Sequence, residues 1–182
     1  MEDISCDLCG SRRYREIYRM PDTHFHPDEW FSVVECTECG LGFVNPRPTK
    51  QEIGKYYPDA FFDSFDEAWH QERYRREARY LADLSRPGAR LLDIACANGD
   101  FPRHMREQGW DVAGVEIGGQ ARQIDDFEIH RCEFPDAPLA ESHFDAVTAW
   151  AVMEHVHQPS EYFKRAAEVL RPGGRFVFLV PN

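Results

Sequence analysis

Residues 90–116 constrain the fold of this 182-residue chain more than any other stretch. Arg90-Leu-Leu-Asp-Ile-Ala95 has the length and apolar character of a buried strand, and Cys96-Ala-Asn-Gly99 follows as a small-residue turn. Phe101 to Gln108 reads as a helix with Pro102 in its first turn and Gly109 at its end. Asp111-Val-Ala-Gly-Val-Glu116 then predicts a second strand closing on a carboxylate. In a βαβ unit both loops lie at the carboxyl ends of neighbouring parallel strands. Glu116 is therefore expected beside the turn, placed to accept hydrogen bonds from ribose hydroxyls. Small side chains in the turn let a ligand approach the backbone.

Two ligand classes use this geometry. A nicotinamide or flavin dinucleotide prefers Gly-x-Gly-x-x-Gly with its pyrophosphate on the helix N-terminus, and Asp100 is a poor neighbour for phosphate. The segment instead resembles the first motif of class I S-adenosylmethionine-dependent methyltransferases, an acid at the end of the first strand followed by Gly-x-Gly-x-Gly. Asp93 and Gly99 match, while Ala95 and Ala97 stand in place of the first two glycines. The resemblance implies that Asp93, Ala95, Ala97 and Gly99 frame the methionine end of the cofactor and Glu116 its ribose.

Later segments continue the likeness in order. Glu128 to Cys132 reads as a third strand, and Glu133-Phe-Pro-Asp-Ala-Pro-Leu-Ala-Glu-Ser-His-Phe-Asp145 resembles the family's acidic, Pro-containing loop. By that match Glu133 faces the adenine amino group, and Phe134 offers its backbone amide and an apolar edge. Phe144 to Trp150 is the fourth strand, with Trp150 a further cofactor-binding residue. Met153-Glu-His-Val156 resembles the signature that follows. His155 is the candidate general base, its ordinary pKa being near neutrality; the alternative is that Glu154 and His155 only hold the loop. His157 is a rival, and acids with a histidine here bind a divalent cation, such as magnesium, in some relatives. Gln158-Pro159 opens a helix whose apolar face is Tyr162, Phe163, Ala166, Ala167, Val169 and Leu170, and Leu170-Arg-Pro-Gly-Gly174 stops it before a fifth strand, Arg175 to Val180.

Cys6-Asp-Leu-Cys9-Gly10 and Cys36-Thr-Glu-Cys39-Gly40 form an independent signal. Each pair sets two thiolates on one tight turn, and two such turns complete a closed tetrahedral site, so Cys6, Cys9, Cys36 and Cys39 are the candidate ligands of a structural zinc. Two disulfides are the alternative, and His24 or His26 could replace one ligand. Arg13 to Met20 and Trp30 to Cys36 supply the hairpin of a zinc ribbon, and Cys96 and Cys132 read as packing residues. Cys39-Gly-Leu-Gly-Phe-Val-Asn-Pro-Arg-Pro48, with Tyr56-Tyr-Pro58 beyond it, resembles bacterial zinc-ribbon methyltransferases associated with sugars and surface polysaccharides. Tyr56, Tyr57, Phe61 and Phe62 read as interdomain packing or as a lid.

The expected architecture is α/β: a Rossmann-like, doubly wound, mostly parallel sheet with the first five strands of a class I methyltransferase, preceded by a small zinc ribbon. The expected divisions are 1–45 for the ribbon, 46–85 for a linker and a helix from about Phe65 to Leu84 with Tyr74, Ala78 and Leu81 on its apolar side, and 86–182 for the methyltransferase domain. Strands six and seven of the family are absent after Pro181-Asn182. The sequence therefore reads as a piece of a longer enzyme whose fifth strand is an apolar edge prone to self-association. Lys and Arg number 21 against 32 Asp and Glu, a net charge of -11, which argues against a nucleic-acid backbone as ligand. No run is long and apolar enough to cross a membrane, and a cytoplasmic location is expected. The primary expectation is methyl transfer to a small-molecule or saccharide acceptor. The alternatives are a non-enzymatic zinc-ribbon interaction module on a degenerate nucleotide fold and a dinucleotide oxidoreductase.

Overall fold

A computed structural model describes residues 1–23, 25–57, 67–118 and 124–181, with backbone only at 67–71. It divides into two compact units, Met1–Phe65 and Asp66–Asn182. His24, Phe61 and Phe62, which carried sequence expectations, lie outside the described residues.

The first unit is built on an antiparallel sheet in the order β1-β2-β3, from Tyr14–Pro21, Trp30–Cys36 and Gly42–Val44. Its hairpin falls within a residue of the expected one. No residue of β1 is buried. Among the described residues the enclosed positions are Cys6, Val34, Cys36, Asn45 and Pro48, so two of the five that make up this small core are cysteines. Residues 46–57 join the same unit: Glu2 and Arg47 bridge, the N-terminal ammonium pairs with Glu52, and Ile53–Tyr56 makes a short 3-10 turn. The Tyr56 ring meets His26 at 5.3 Å and Phe31 at 5.6 Å, and its hydroxyl donates to Glu29. The stretch expected to stand apart as 46–85 is thus shared between the units.

The second unit holds a parallel sheet in the order β6-β5-β4-β7-β8, with β4 Arg90–Ile94, β5 Asp111–Val115, β6 Glu128–His130, β7 Phe144–Trp150 and β8 Leu170–Leu179. Every residue of β7 is buried, as in a strand covered on both faces. One face carries Leu91, Ala146 and Trp150 under α1 (Glu67–Ala78) and α2 (Asp100–Glu107). The other carries Leu92, Ile94, Val147 and Ala149 against Phe134 and α3 (Pro159–Val169). Two details differ from expectation. The helix entering the domain tightens to 3-10 geometry at Arg79–Leu84. The last strand begins at Leu170, which already pairs with Phe144 before the register shifts and Arg175 pairs with Ala146. β8 is an outer strand, and Phe163, Phe178, Leu179 and Val180 are exposed on or beside it.

Candidate functional site

The strands are all parallel, but their order switches sides between β4 and β7, with β5 and β6 following on one side and β8 on the other; doubly wound sheets bind ligands at the carboxyl ends of such a switch point. Strained backbone gathers at this edge. Ala95, Ala97 and Ala151 have φ of 54°, 51° and 56°, the left-handed region that glycine adopts without cost. Ala95 and Ala97, the positions at which the resembled motif has glycine, are thus both left-handed. Gly99, at φ 85°, is less replaceable, because a Cβ there would come within 2.8 Å of the Phe127 ring. Arg103 steadies the turn from α2, donating to the Asn98 carbonyl at 2.7 Å and pairing with Asp126 at 3.0 Å.

Glu116, at the end of β5, lies beside this turn. Its carboxylate accepts from the Ala97 amide at 2.9 Å and the Gly118 amide at 2.6 Å, one bond on each oxygen. Each oxygen keeps lone-pair capacity for a ligand hydroxyl. Asp93 is buried in β4 opposite Thr148, whose hydroxyl donates to it at 2.6 Å. Burial pushes the Asp93 pKa up to about 8; the Thr148 bond opposes the rise, and the charges of Glu77 and Glu116 add to it.

Strand alternation directs Asp93, Thr148 and Trp150 to the face covered by α1. Trp150 meets Phe101 edge to face at 5.2 Å, and its buried indole N–H has no partner among the described residues. Glu133 is half-buried just before the short Phe134–Asp136 turn. Phe134 corrects the sequence reading: its ring is 1% exposed and packs on Tyr162, and its amide donates to the Tyr162 hydroxyl, so no apolar edge faces outward. α3 covers that face of the sheet and draws the ring into the core.

His155 sits in the turn after β7, with its amide bonded to the Val152 carbonyl at 2.9 Å and its Nε2 3.7 Å from Glu154. Partial burial lowers its pKa below the ordinary histidine value, with Glu154 pulling the other way, which favours the neutral, proton-accepting ring near neutral pH.

In the first unit Cys6, Cys9, Cys36 and Cys39 bring their sulfurs within 4.8 Å of one another. The cross-knuckle separations are 3.5 Å for Cys6–Cys39 and 3.6 Å for Cys9–Cys36. Sulfurs about 2.3 Å from a tetrahedral metal would stand about 3.8 Å apart, so the donor set fits such an ion. The knuckles repeat one pattern: Gly10 donates to the Cys6 carbonyl and Gly40 to that of Cys36, both glycines being left-handed. Burial opposes ionisation of Cys36, but the Glu38 and Cys39 amides donate to its sulfur and bring its pKa down to about 7.

Glu77 was not anticipated. It occupies position i+3 after Tyr74, inside the same α1 stripe as Ala78 and Leu81, and is 1% exposed. An acid inside an apolar helical stripe was the available signal.

A family model described as a methyltransferase domain matches residues 67–182. The 27-O-demethylrifamycin SV methyltransferase of Amycolatopsis mediterranei is 31% identical over 172 residues, covering 75% of this chain and 62% of that protein. A ubiquinone biosynthesis O-methyltransferase of Nitrosospira multiformis is 30% identical over 105 residues, covering 52% and 44% respectively. The chain thus spans only about half of the length of these relatives. Among solved structures, the PH0226 protein of Pyrococcus horikoshii OT3 superimposes with a TM-score of 0.57 at 21% identity, covering 66% of this chain and 57% of that one, a likeness of fold. With the matching segment running from α1 to the end of β8, the chain belongs to the methyltransferase-domain family.

Proposed function

We propose that the chain binds S-adenosylmethionine in the crevice between β4 and β7 and serves methyl transfer to an oxygen of a small-molecule acceptor, saccharides included. The observation that carries this reading is Glu116, whose two oxygens are fixed by the amides of Ala97 and Gly118 beside the left-handed turn. The oxygen acceptor is taken from the two relatives, whose names describe O-methyl transfer or an O-demethylated substrate. The left-handed alanines speak against the degenerate-fold alternative, because the turn keeps its ligand-facing backbone.

When bound, the cofactor supplies a methyl group already activated on a sulfonium. What remains for the protein is to hold the acceptor in line and to accept its proton. Glu116 binds the ribose hydroxyls, Asp93 with Ala95, Ala97 and Gly99 lines the methionine end, and Glu133 meets the adenine amino group. His155, neutral near pH 7, takes the hydroxyl proton at its Nε2. In the first unit the four cysteines hold zinc in a closed structural site with no position for water or substrate. The outer strand β8, with Phe178 and Leu179 exposed, is a surface for self-association, which sedimentation of the chain at increasing concentration tests.

Thermal melting with S-adenosylhomocysteine, the reaction's demethylated product, tests the cofactor reading. It should stabilise the second unit, Glu116→Ala should cut that stabilisation sharply, and a nicotinamide dinucleotide should have no effect. Stabilisation by the dinucleotide alone would replace this reading with the oxidoreductase one.

A further inference from the structure

The loop that leaves β6 and carries Glu133 has little regular structure of its own. One short 3-10 turn, Phe134–Asp136, is all that residues 133–142 contain, and within the loop the Asp136, Ala137 and Leu139 amides donate to the carbonyls of Glu133, Phe134 and Ala137. The carbonyls that face inward need donors from elsewhere, because a buried acceptor left unpaired is costly. They find them on α3.

Tyr162, Arg165, Ala166 and Val169 follow one another at i, i+3, i+4 and i+7 on that helix, and three of the four are core residues against the sheet. Arg165 is the exception in chemistry, although its side chain is only 17% exposed. Its Nη2 donates to the Ala137 carbonyl at 3.0 Å and to the Leu139 carbonyl at 2.8 Å, and its Nη1 donates to Glu168 at 3.1 Å. The buried Nε–H has no partner among the described residues. An apolar side chain would complete the stripe without that cost; what the guanidinium adds is two donors from one rigid fork to two carbonyls of the loop. Tyr162, one turn earlier, secures the start of the same loop. Its ring lies 5.6 Å from that of Phe134, and its hydroxyl accepts from the Phe134 amide. Glu133 is near enough that its charge, after burial, helps push the Tyr162 pKa up to about 12.

We propose that Arg165 is a positioning residue for base selectivity: by clamping the Ala137 and Leu139 carbonyls to α3, it fixes the loop so that the Glu133 carboxylate meets the amino group of an adenine ring. This rests on the reading of the crevice as the S-adenosylmethionine site. The Phe134 amide is engaged by Tyr162, which leaves the Glu133 carboxylate as the group that reads the base in that reading. Discrimination between an amino group and a carbonyl on the purine then depends on where the loop is held, and Arg165 acts on it without touching the ligand.

The test is calorimetric titration of the whole chain, wild type, Arg165→Met and Arg165→Lys, with S-adenosylhomocysteine and with S-inosylhomocysteine, in which a carbonyl replaces the adenine amino group. Wild type should bind the adenosyl compound about tenfold or more tightly than the inosyl one. Arg165→Met keeps a long unbranched side chain and removes the donors; it should weaken the adenosyl compound and shrink that ratio by about fivefold, with the inosyl compound unchanged within about twofold. Arg165→Lys, which keeps a charged donor, should restore part of the ratio. Equal weakening of both ligands in Arg165→Met would assign Arg165 a purely structural role and overturn the proposal, as would a ratio equal to that of the wild type. Wild-type protein that binds both ligands alike would overturn base reading by Glu133 and the proposal with it, whereas wild-type protein that binds neither would overturn the cofactor reading itself. If Arg165→Met does not fold, Arg165→Lys is titrated alone, with a smaller narrowing of the ratio expected and an unchanged ratio contradicting the proposal.

Discussion

The two units are held together by different means. In the second, β7 is buried along its whole length and two apolar layers cover the sheet. In the first, β1 has no buried residue, and two of the enclosed positions are the cysteines Cys6 and Cys36. A sheet of that size buries little apolar surface to set against its conformational entropy, and in the proposed reading bonds from the four cysteines to zinc carry the difference. In that reading stability and chemistry are separable here: the sulfurs hold the first unit, while Glu116 and the left-handed turn beside it lie in the second.

The strongest way to break this contrast is to remove the metal. Apparent zinc binding to four-ligand folding sites is worth about 10–16 kcal/mol, far more than a unit of this size can replace. A strong chelator, or Cys36→Ser, should abolish amide-exchange protection in β1–β3 while leaving β4 and β7 protected, and metal analysis should find about one zinc per chain before treatment. Persistence of protection in β2 without metal would show that the first unit stands on its own packing.

A core truncation makes the reverse test. Leu92→Ala should destabilise the second unit by about 2–5 kcal/mol in denaturant melts, and should not release zinc from the first. A smaller effect is expected at Asp93. Its folded pKa is raised to about 8 from 3.8, by burial first and by Glu77 and Glu116, against the Thr148 bond and Arg73. The native state thus keeps a proton that the unfolded chain releases, and the second unit should lose stability as pH rises through roughly 4 to 8, with no further loss from this group above that window. Asp93→Asn should remove that dependence and raise Tm by roughly 5 °C near pH 8, while weakening S-adenosylhomocysteine binding. Binding to the wild type should strengthen from pH 7 to 9 as Asp93 ionises, which titrations at several pH values would reveal. The smallest effect is expected for Ala97→Gly: at φ 51° relief of the left-handed strain should stabilise by about 0.5–1 kcal/mol, and a loss of stability would contradict the strain.

Most of this was legible along the chain, because the relevant signals are local. Apolar runs mark β4, β5 and β7, the cysteine pairs mark their own knuckles, and Glu116 follows from the end of its strand. What escaped depends on contacts between distant segments. Phe134 turns inward because α3 lies over it, and Leu170 joins β8 because Phe144 is in register to receive it. Residues 46–57 join the first unit through Glu2, Glu29 and the N-terminus, partners that lie far away in sequence. The burial of Glu77 shows only once α1 is laid on the face to which Asp93 and Trp150 point. Periodicity found the stripe it belongs to, but no pattern in one helix tells whether an acid inside it is sheltered or solvated.

The most direct test of the central claim is amide chemical-shift mapping of the isotope-labelled, zinc-loaded chain during titration with S-adenosylhomocysteine. The account predicts saturable shifts concentrated at residues 93–99 and 116–118, with the amides of Ala97 and Gly118 among those most affected. Saturable shifts that spare both segments, or no saturable shift at any ligand concentration, would contradict it.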